Sequence, residues 1–299
     1  MKAIADRLAN KEVIIMDGAT GTELENRGVP MNDDAWSIAA VDTHPDIVRG
    51  VHADYIQAGA DVIITNTFST AKHLTEWAGL GDRFESLNAN AVTLAKEARD
   101  QVADRPIAIA GGISSAAFAG KQPTLDVAKA NYEAQADILA ENGVDLFILE
   151  MMRTIEHTTI IIDAVKRTGL PVWVGFSLNI EPDADLHLLD NKTETLADAV
   201  KSIADQGIDL ICIMHTLTEW ATPSLEVIKQ HWSGPMGSYP HSGKFVMPNW
   251  QFNDVITPEA FADAAEEWVA LGTQVIGGCC GIGPDHIREL KARLPTHLA

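Results

Sequence analysis

The sequence predicts an α/β fold, a (β/α)8 TIM barrel occupying residues 1–299 as a single domain. Two observations carry this expectation. Eight short apolar runs recur, most of them ending in Gly, Asn, Ser or an acidic residue, and helical patterns lie between most of them. The runs are continuously apolar rather than alternating, which marks strands buried on both faces. Strand–helix alternation over about 250–300 residues is what such a barrel requires. A doubly wound open sheet alternates in the same way, but the strand count favours the barrel.

The elements follow in order. "VIIMDG" from Val13 reads as the first strand. "HPDIVRGVHADYIQAGA" puts Ile47, Val51, Tyr55 and Ile56 on one helical stripe, with Pro45 early and Gly59 closing it. It leads into "DVIITNTF" from Asp61. "SLNANAVTLAKEARDQVA" precedes "PIAIAGG" from Pro106, and "TLDVAKANYEAQADILAENG" precedes "DLFILE" from Asp145. "TIEHTTIIIDAVKRTG" leads to "PVWVGFS" from Pro171, and "TLADAVKSIADQG" to "DLICIMH" from Asp209. "PMGSY" from Pro235 is the seventh run; "TPEAFADAAEEWVALG" then leads to "TQVIGG" from Thr273. Gly143, Gly169, Gly207 and Gly272 stand where helix stops belong. Residues 26–41, 180–194 and 239–256 are irregular and follow strand exits. In a barrel, those loops build the active-site face.

Composition narrows the function. The chain is 46% hydrophobic and 21% charged, as soluble globular proteins are. Its formal net charge is -20, and no basic cluster interrupts it. Such a surface repels phosphate backbones and anionic membranes, so neither nucleic acid nor a membrane is an expected partner. The start, "MKAIADRLANKEVIIMDG", lacks a signal-peptide pattern. No apolar run reaches the roughly 18 residues that a membrane span needs. Three cysteines make no disulfide framework. A reducing cytoplasm is the expected location.

The strand exits share one mouth if the barrel is right. They offer Asp17, Asn66, Ser114, Glu150, Ser177, Asn179, His215, Tyr239, His241 and the adjacent pair Cys279 and Cys280. Two thiols and an imidazole are a zinc-type donor set, and catalytic zinc takes three protein ligands. Glycines around the cysteines permit the sharp turn that brings adjacent thiols to one ion. A vicinal disulfide and plain packing at a tight turn are the alternatives. Cys212 lies three residues before His215, and residues three apart on a strand face opposite sides. His215 is therefore the expected ligand, and Cys212 the expected wall residue between sheet and helices. An open zinc with such ligands would hold a substrate thiol as thiolate at neutral pH, or activate water.

The residues match a family. The chain resembles the homocysteine S-methyltransferases in "MDGATGTELENRG", "HADYIQAGADVIITNTFSTAK", "VDLFILEMM", "VGFSLN", "YPHSG" and "VIGGCCG". The resemblance implies a TIM barrel, catalytic Zn2+ and methyl transfer onto homocysteine to give methionine. In the family three cysteines hold the zinc, and the first ends a "GVNC"-like stretch. Here that stretch is "CIMH", with His215 in the cysteine's place and Met214 where Asn is usual. A Cys2His set remains a sound zinc site, but neutral imidazole makes it less electron-rich. The resemblance also assigns Glu150 to the substrate ammonium and Asp17 to the same amino-acid site. It puts Asn66 in the mouth's wall and suggests the backbone N–H groups of Gly18 and Ala19 for the substrate carboxylate.

The methyl donor is less legible. The family implies S-methylmethionine, S-adenosylmethionine or another onium compound, and such cations favour aromatic faces. Trp36, Tyr239 and Trp250 are candidates on mouth-side loops. Betaine-specific relatives carry tyrosines where Ser69 and Met151 stand here, which counts against betaine. "TNTF" leaves a separate corrinoid protein open as a donor partner. Two rival readings stand beside methyl transfer. One is a barrel that cradles a phosphorylated substrate in "GGCCGIGP"; the other is a zinc-binding homologue with altered substrate or no catalysis.

Overall fold

A computed structural model of the chain describes residues 4–31, 36–116, 121–179, 185–246 and 251–299. The strands are β1 Ile14–Ile15, β2 Val62–Ile64, β3 Ala108–Ser114, β4 Leu146–Met152 and β5 Val172–Phe176. They continue with β6 Leu210–Leu217, β7 Met236–His241, the hairpin strands β8 Lys244–Val246 and β9 Gln251–Asn253, and β10 Val275–Ile276. Each of the eight sequence-predicted runs contains one parallel strand, in the spatial order β1-β10-β7-β6-β5-β4-β3-β2. A parallel bridge between Met16 and Val62 joins the two ends, and the ring closes.

Asp17 completes that seam with both its backbone and its side chain. Asp17 N–H donates to the Val62 carbonyl at 3.0 Å, and Asp17 Oδ2 accepts from Ile64 N–H at 2.8 Å. At the opposite end of the barrel a device repeats. Asp61, Asp145 and Asp209 each stand just before a strand and accept from a neighbouring strand's first N–H groups. Asp61 takes Ile15 at 3.2 Å, and Asp145 and Asp209 take Ile109 and Val172 at 2.8 Å. These aspartates terminate edges that would otherwise leave donors unpaired.

The strand residues divide into two packed layers. Ile14, Met16, Val62, Ile64, Leu146, Ile148, Trp173, Leu210, Cys212 and Met214 fill the barrel, with Ile4 and Leu8 packed into the same cluster. Ile15, Ile63, Phe147, Leu149, Val174, Ile211 and Ile213 face the helix ring. The helix Pro45–Ala58 shows how that ring forms. Pro45 opens it, Val51, Tyr55 and Ile56 are buried, and Gly59 ends it at φ +120°. Cys212 thus lies inside the barrel, not between sheet and helices as the alternation argument predicts. The physical reason is an extra residue in β6, described below.

Gly175 lets the interior close. A Cβ there would lie 2.4 Å from the Tyr239 hydroxyl oxygen and 2.9 Å from Met214 Cγ. Gly175→Ala should therefore cost about 1–3 kcal/mol by overpacking. Urea denaturation measures this, and an unchanged midpoint would contradict the packing described.

Candidate metal and active site

Two strands reach the mouth through the same irregularity. On β4, Leu149 pairs with Val174 and Met152 with Phe176, so β4 carries one extra residue between them. On β6, Met214 pairs with Tyr239 and Leu217 with His241, again with one extra residue. Met151 and His215 sit in these bulges at φ +52° and +42°. Neither is a glycine, and such conformations are strained, a cost found often at functional sites. The bulge breaks the two-residue alternation. Cys212 and Met214 face the barrel interior, and His215 still turns to the mouth.

His215 meets the two thiols there. Its Nδ1 lies 3.7 Å from Cys279 Sγ and 4.0 Å from Cys280 Sγ, and the two sulfurs are 3.8 Å apart. Among the described residues these three form a candidate metal-binding group. A tetrahedral zinc with usual bond lengths would give edges of about 3.8 Å between sulfurs and about 3.6 Å between sulfur and nitrogen. The three donors therefore already form a ligand face. Cys280 beside it and burial push the Cys279 thiol well up, and His215 acts against them. A bound dication would reverse that rise.

The turn that presents the thiols depends on small residues. A Cβ on Gly278 would lie 2.2 Å from Ile282 Cγ2, and Gly281 adopts φ +81°. The loop's N–H groups are used within the protein. Gly278 donates to Asp17 O, Cys279 to Pro240 O, Ile282 to Cys279 O and Gly283 to His286 Nδ1. A phosphate cradle needs such donors free, so the loop does not favour the phosphorylated-substrate reading.

The thiols and His215 line a cavity of about 800 Å³ at the mouth. Gly18, Ala19, Asn66 and Glu150 line it too, while Asp17 lies beneath the surface, fully buried. Asp17 Oδ1 has no hydrogen-bond partner. Burial raises the Asp17 carboxyl well above its ordinary value, and Glu150 adds to the rise. Burial alone pushes Glu150 up to about 8. The Ala19 N–H donates to the Ile282 carbonyl at 2.9 Å. That donor is not free for a substrate carboxylate, contrary to expectation. Asn66 holds the rim: it accepts from Ser37 Oγ at 2.8 Å and donates to Ser37 O at 3.1 Å.

Trp36, next to Ser37, packs edge-on to Phe68 with centroids 5.6 Å apart. Trp36, Phe68, Trp220, Tyr239 and Phe252 bring aromatic surface to the cavity. Trp250, the third aromatic expected there, lies outside the described residues. Tyr239 and His241 belong to β7 itself rather than to the loop after it. The Tyr239 hydroxyl is buried without a partner. The His241 ring packs at a tilt of 46° against that of His215, with centroids 4.8 Å apart, and burial, with His215 beside it, pushes it down to about 3.

Several lining residues escaped the sequence reading. Met214 Sδ accepts from Ser177 Oγ at 2.9 Å and from Met151 N–H at 3.2 Å, so it buttresses both bulges. Arg153, Asp190 and Glu219 also line the cavity. Arg153 stands three residues after Glu150, a position that the exit of β4 brings to the rim.

Residues 14–294 match the family model described as homocysteine S-methyltransferase. The chain belongs to this family. It is 26% identical over 310 residues to homocysteine S-methyltransferase 2 of Arabidopsis thaliana, covering 94% of this chain and 92% of that protein. It is 29% identical over 313 residues to the S-methylmethionine–homocysteine S-methyltransferase BHMT2 of Rattus norvegicus, covering 98% and 81%. The metallated form of the homocysteine methyltransferase MmuM from Escherichia coli superposes with a TM-score of 0.81 at 26% identity, covering 96% of this chain and 98% of that one. The chain is thus a thiol-directed S-methyltransferase on a TIM barrel. No helix among the described residues is long and apolar enough to cross a membrane.

His215→Ala should weaken metal binding by at least about tenfold, as loss of a ligand does. Competition with a chromogenic chelator reads this directly, and His215→Cys should retain the metal. Unchanged affinity in His215→Ala would remove His215 from the site.

Proposed function

We propose that this chain binds Zn2+ through His215, Cys279 and Cys280 and moves a methyl group from a small sulfonium donor to the thiol of homocysteine, giving methionine. The observation that carries the reading is the His–Cys–Cys face at the mouth, in one cavity with a buried carboxyl at Glu150. S-methylmethionine is the donor that the rat relative's name supports. When bound, zinc would hold the substrate sulfur as a thiolate at neutral pH. Free thiols at Cys279 and Cys280 suit a reducing, cytoplasmic setting.

The chain's own residues do the rest. Glu150 receives the homocysteine ammonium, and the unpartnered Asp17 Oδ1 behind it adds negative potential if ionised. Gly18 is fixed by packing, since a Cβ there would lie 2.2 Å from the Ile282 carbonyl oxygen, and its backbone lines the cavity. Trp36, Phe68, Trp220 and Phe252 face the donor's positive charge and exclude water from it. The donor's S–CH3 bond breaks with its electron pair returning to sulfur, and a bond forms from the homocysteine sulfur to the methyl carbon. The donor becomes a neutral thioether, and the thiol proton leaves to solvent. Holding both reactants in line lowers the barrier further by removing the entropy cost of bringing them together.

Glu150→Gln keeps the shape and removes the charge. It should raise the homocysteine KM about 10–100-fold, as loss of a charge-assisted hydrogen bond does. The pH dependence has a defined sign. With its group up at about 8, Glu150 is protonated at neutral pH and must release that proton to pair with ammonium. Homocysteine affinity should then fall as pH drops below about 8, by up to tenfold per unit. Calorimetry in buffers of different ionisation enthalpy should show one more proton released by wild type than by Glu150→Gln. Equal release would remove Glu150 from the ammonium site. A screen of S-methylmethionine, S-adenosylmethionine, betaine and methyl-corrinoid donors on zinc-loaded protein tests the transfer itself. Methionine from none of them would leave the altered or non-catalytic homologue.

A further inference from the structure

Arg153 stands between the main cavity and a second, smaller one of about 160 Å³. The smaller cavity's lining includes Ser115, Thr154, His157 and Asp190, and Asp190 also borders the main cavity. The Arg153 guanidinium is anchored on one side by a neutral group: one NH2 group donates to the Ser115 carbonyl at 2.9 Å. On the other side it makes one contact with Asp190 Oδ2, at 3.3 Å. Arg153 Nε is buried with no partner, and so is His157 Nε2, whose ring is fixed through Nδ1 to Thr154 Oγ1 at 2.9 Å.

The two charges are unequal in their surroundings. The Arg153 side chain is 12% exposed and that of Asp190 is 74% exposed. A single ion-pair contact to so exposed a carboxylate is weak, because solvent screens it. It neutralises Arg153 weakly and opens readily. Asp190 is nevertheless held in place, because its N–H donates to Asn179 Oδ1 at 3.0 Å and its backbone adopts φ +57°. A guanidinium that lines the cavity, with one contact at each terminal nitrogen, beside a carboxylate on a fixed backbone, presents the complement of an α-carboxylate next to an α-ammonium.

The transfer proposed above brings two small molecules together, and homocysteine's ammonium already has Glu150. We infer that Arg153 and Asp190 form a second amino-acid head-group subsite, which selects a methyl donor that is itself an α-amino acid. Arg153 takes the donor's carboxylate and Asp190 its ammonium, while the sulfonium end points toward the aromatic faces. This rests on the proposed transfer only in calling the occupant the donor. The subsite favours an amino-acid sulfonium over betaine, which has no α-ammonium proton to give Asp190.

A ladder of three sulfonium donors tests it on the metal-loaded protein. S-methylmethionine carries both head-group charges, 3-dimethylsulfoniopropionate keeps only the carboxylate, and trimethylsulfonium has neither. Wild type should prefer them in that order by kcat/KM. Arg153→Gln should lower the preference for 3-dimethylsulfoniopropionate over trimethylsulfonium at least tenfold. Asp190→Asn should lower the preference for S-methylmethionine over 3-dimethylsulfoniopropionate by a similar factor. The homocysteine KM should move less than twofold in both. A flat donor ladder in wild type overturns the subsite without any variant, so a misfolded variant does not shelter it. A loss that appears in the homocysteine KM instead also overturns it. Calorimetric binding of S-methylmethionine, which needs no turnover, separates the two ideas. Arg153-dependent binding without methionine formation would support the subsite and contradict the transfer. Methionine formation with binding indifferent to Arg153 would do the reverse.

Discussion

The His215–Cys279–Cys280 corner depends on one backbone constraint, the extra residue at the exit of β6. Without it, the strand's alternation would keep His215 on the face opposite Met214, toward the helix ring. With it, Met214 stays in the barrel and His215 turns to within 3.7 Å of Cys279 Sγ. The strain of a non-glycine residue at φ +42° is held by neighbours that over-determine it. Met214 Sδ accepts from Ser177 and Met151, and the His241 ring packs at a tilt against the imidazole. The matching bulge in β4 delivers Met151 and Arg153 to the same mouth beside Glu150. Two insertions of one residue thus convert a regular barrel rim into a binding site.

The division of labour along the barrel follows from where charge is left unpaired. At the closed end, Asp61 is nearly buried and meets Arg7 at 3.2 Å, with Arg105 and Lys291 slightly farther off. Its charge is neutralised, and it serves closure. At the open end, Asp17 and Glu150 are buried without cations beside them, and burial raises both. Isolated carboxyls in an apolar wall are costly, and under the proposed function a substrate ammonium would remove that cost on binding. Cys279 follows the same rule, because Cys280 beside it and burial push its thiol up. The site is built to be completed by positive charge.

Much of this was legible in the sequence, for definite physical reasons. The strands announce themselves because both faces are buried, so each is an uninterrupted apolar run. Cys279 and Cys280 stand out because adjacent thiols among glycines are poor packing material and good ligands. Glu150 and Cys212 share the strand-interior phase of their neighbours, but the bulges do not show in residue type, since Met151 and His215 are unremarkable formers of positive φ. That is why Cys212 was expected on the wrong face of β6. The Ala19 N–H was expected to be free because nothing in the sequence says that the Ile282 carbonyl, far along the chain, takes it. Arg153 went unread because its role depends on Asp190, whose proximity is tertiary.

X-ray absorption at the metal edge of the zinc-loaded protein tests the central claim most directly. His215, Cys279 and Cys280 as ligands predict a first shell of two sulfurs and one imidazole nitrogen, with a light atom completing it. Adding homocysteine should replace that light atom by a third sulfur at about 2.3 Å. A shell with no imidazole, or one whose sulfur count does not change when homocysteine is added, would contradict the account.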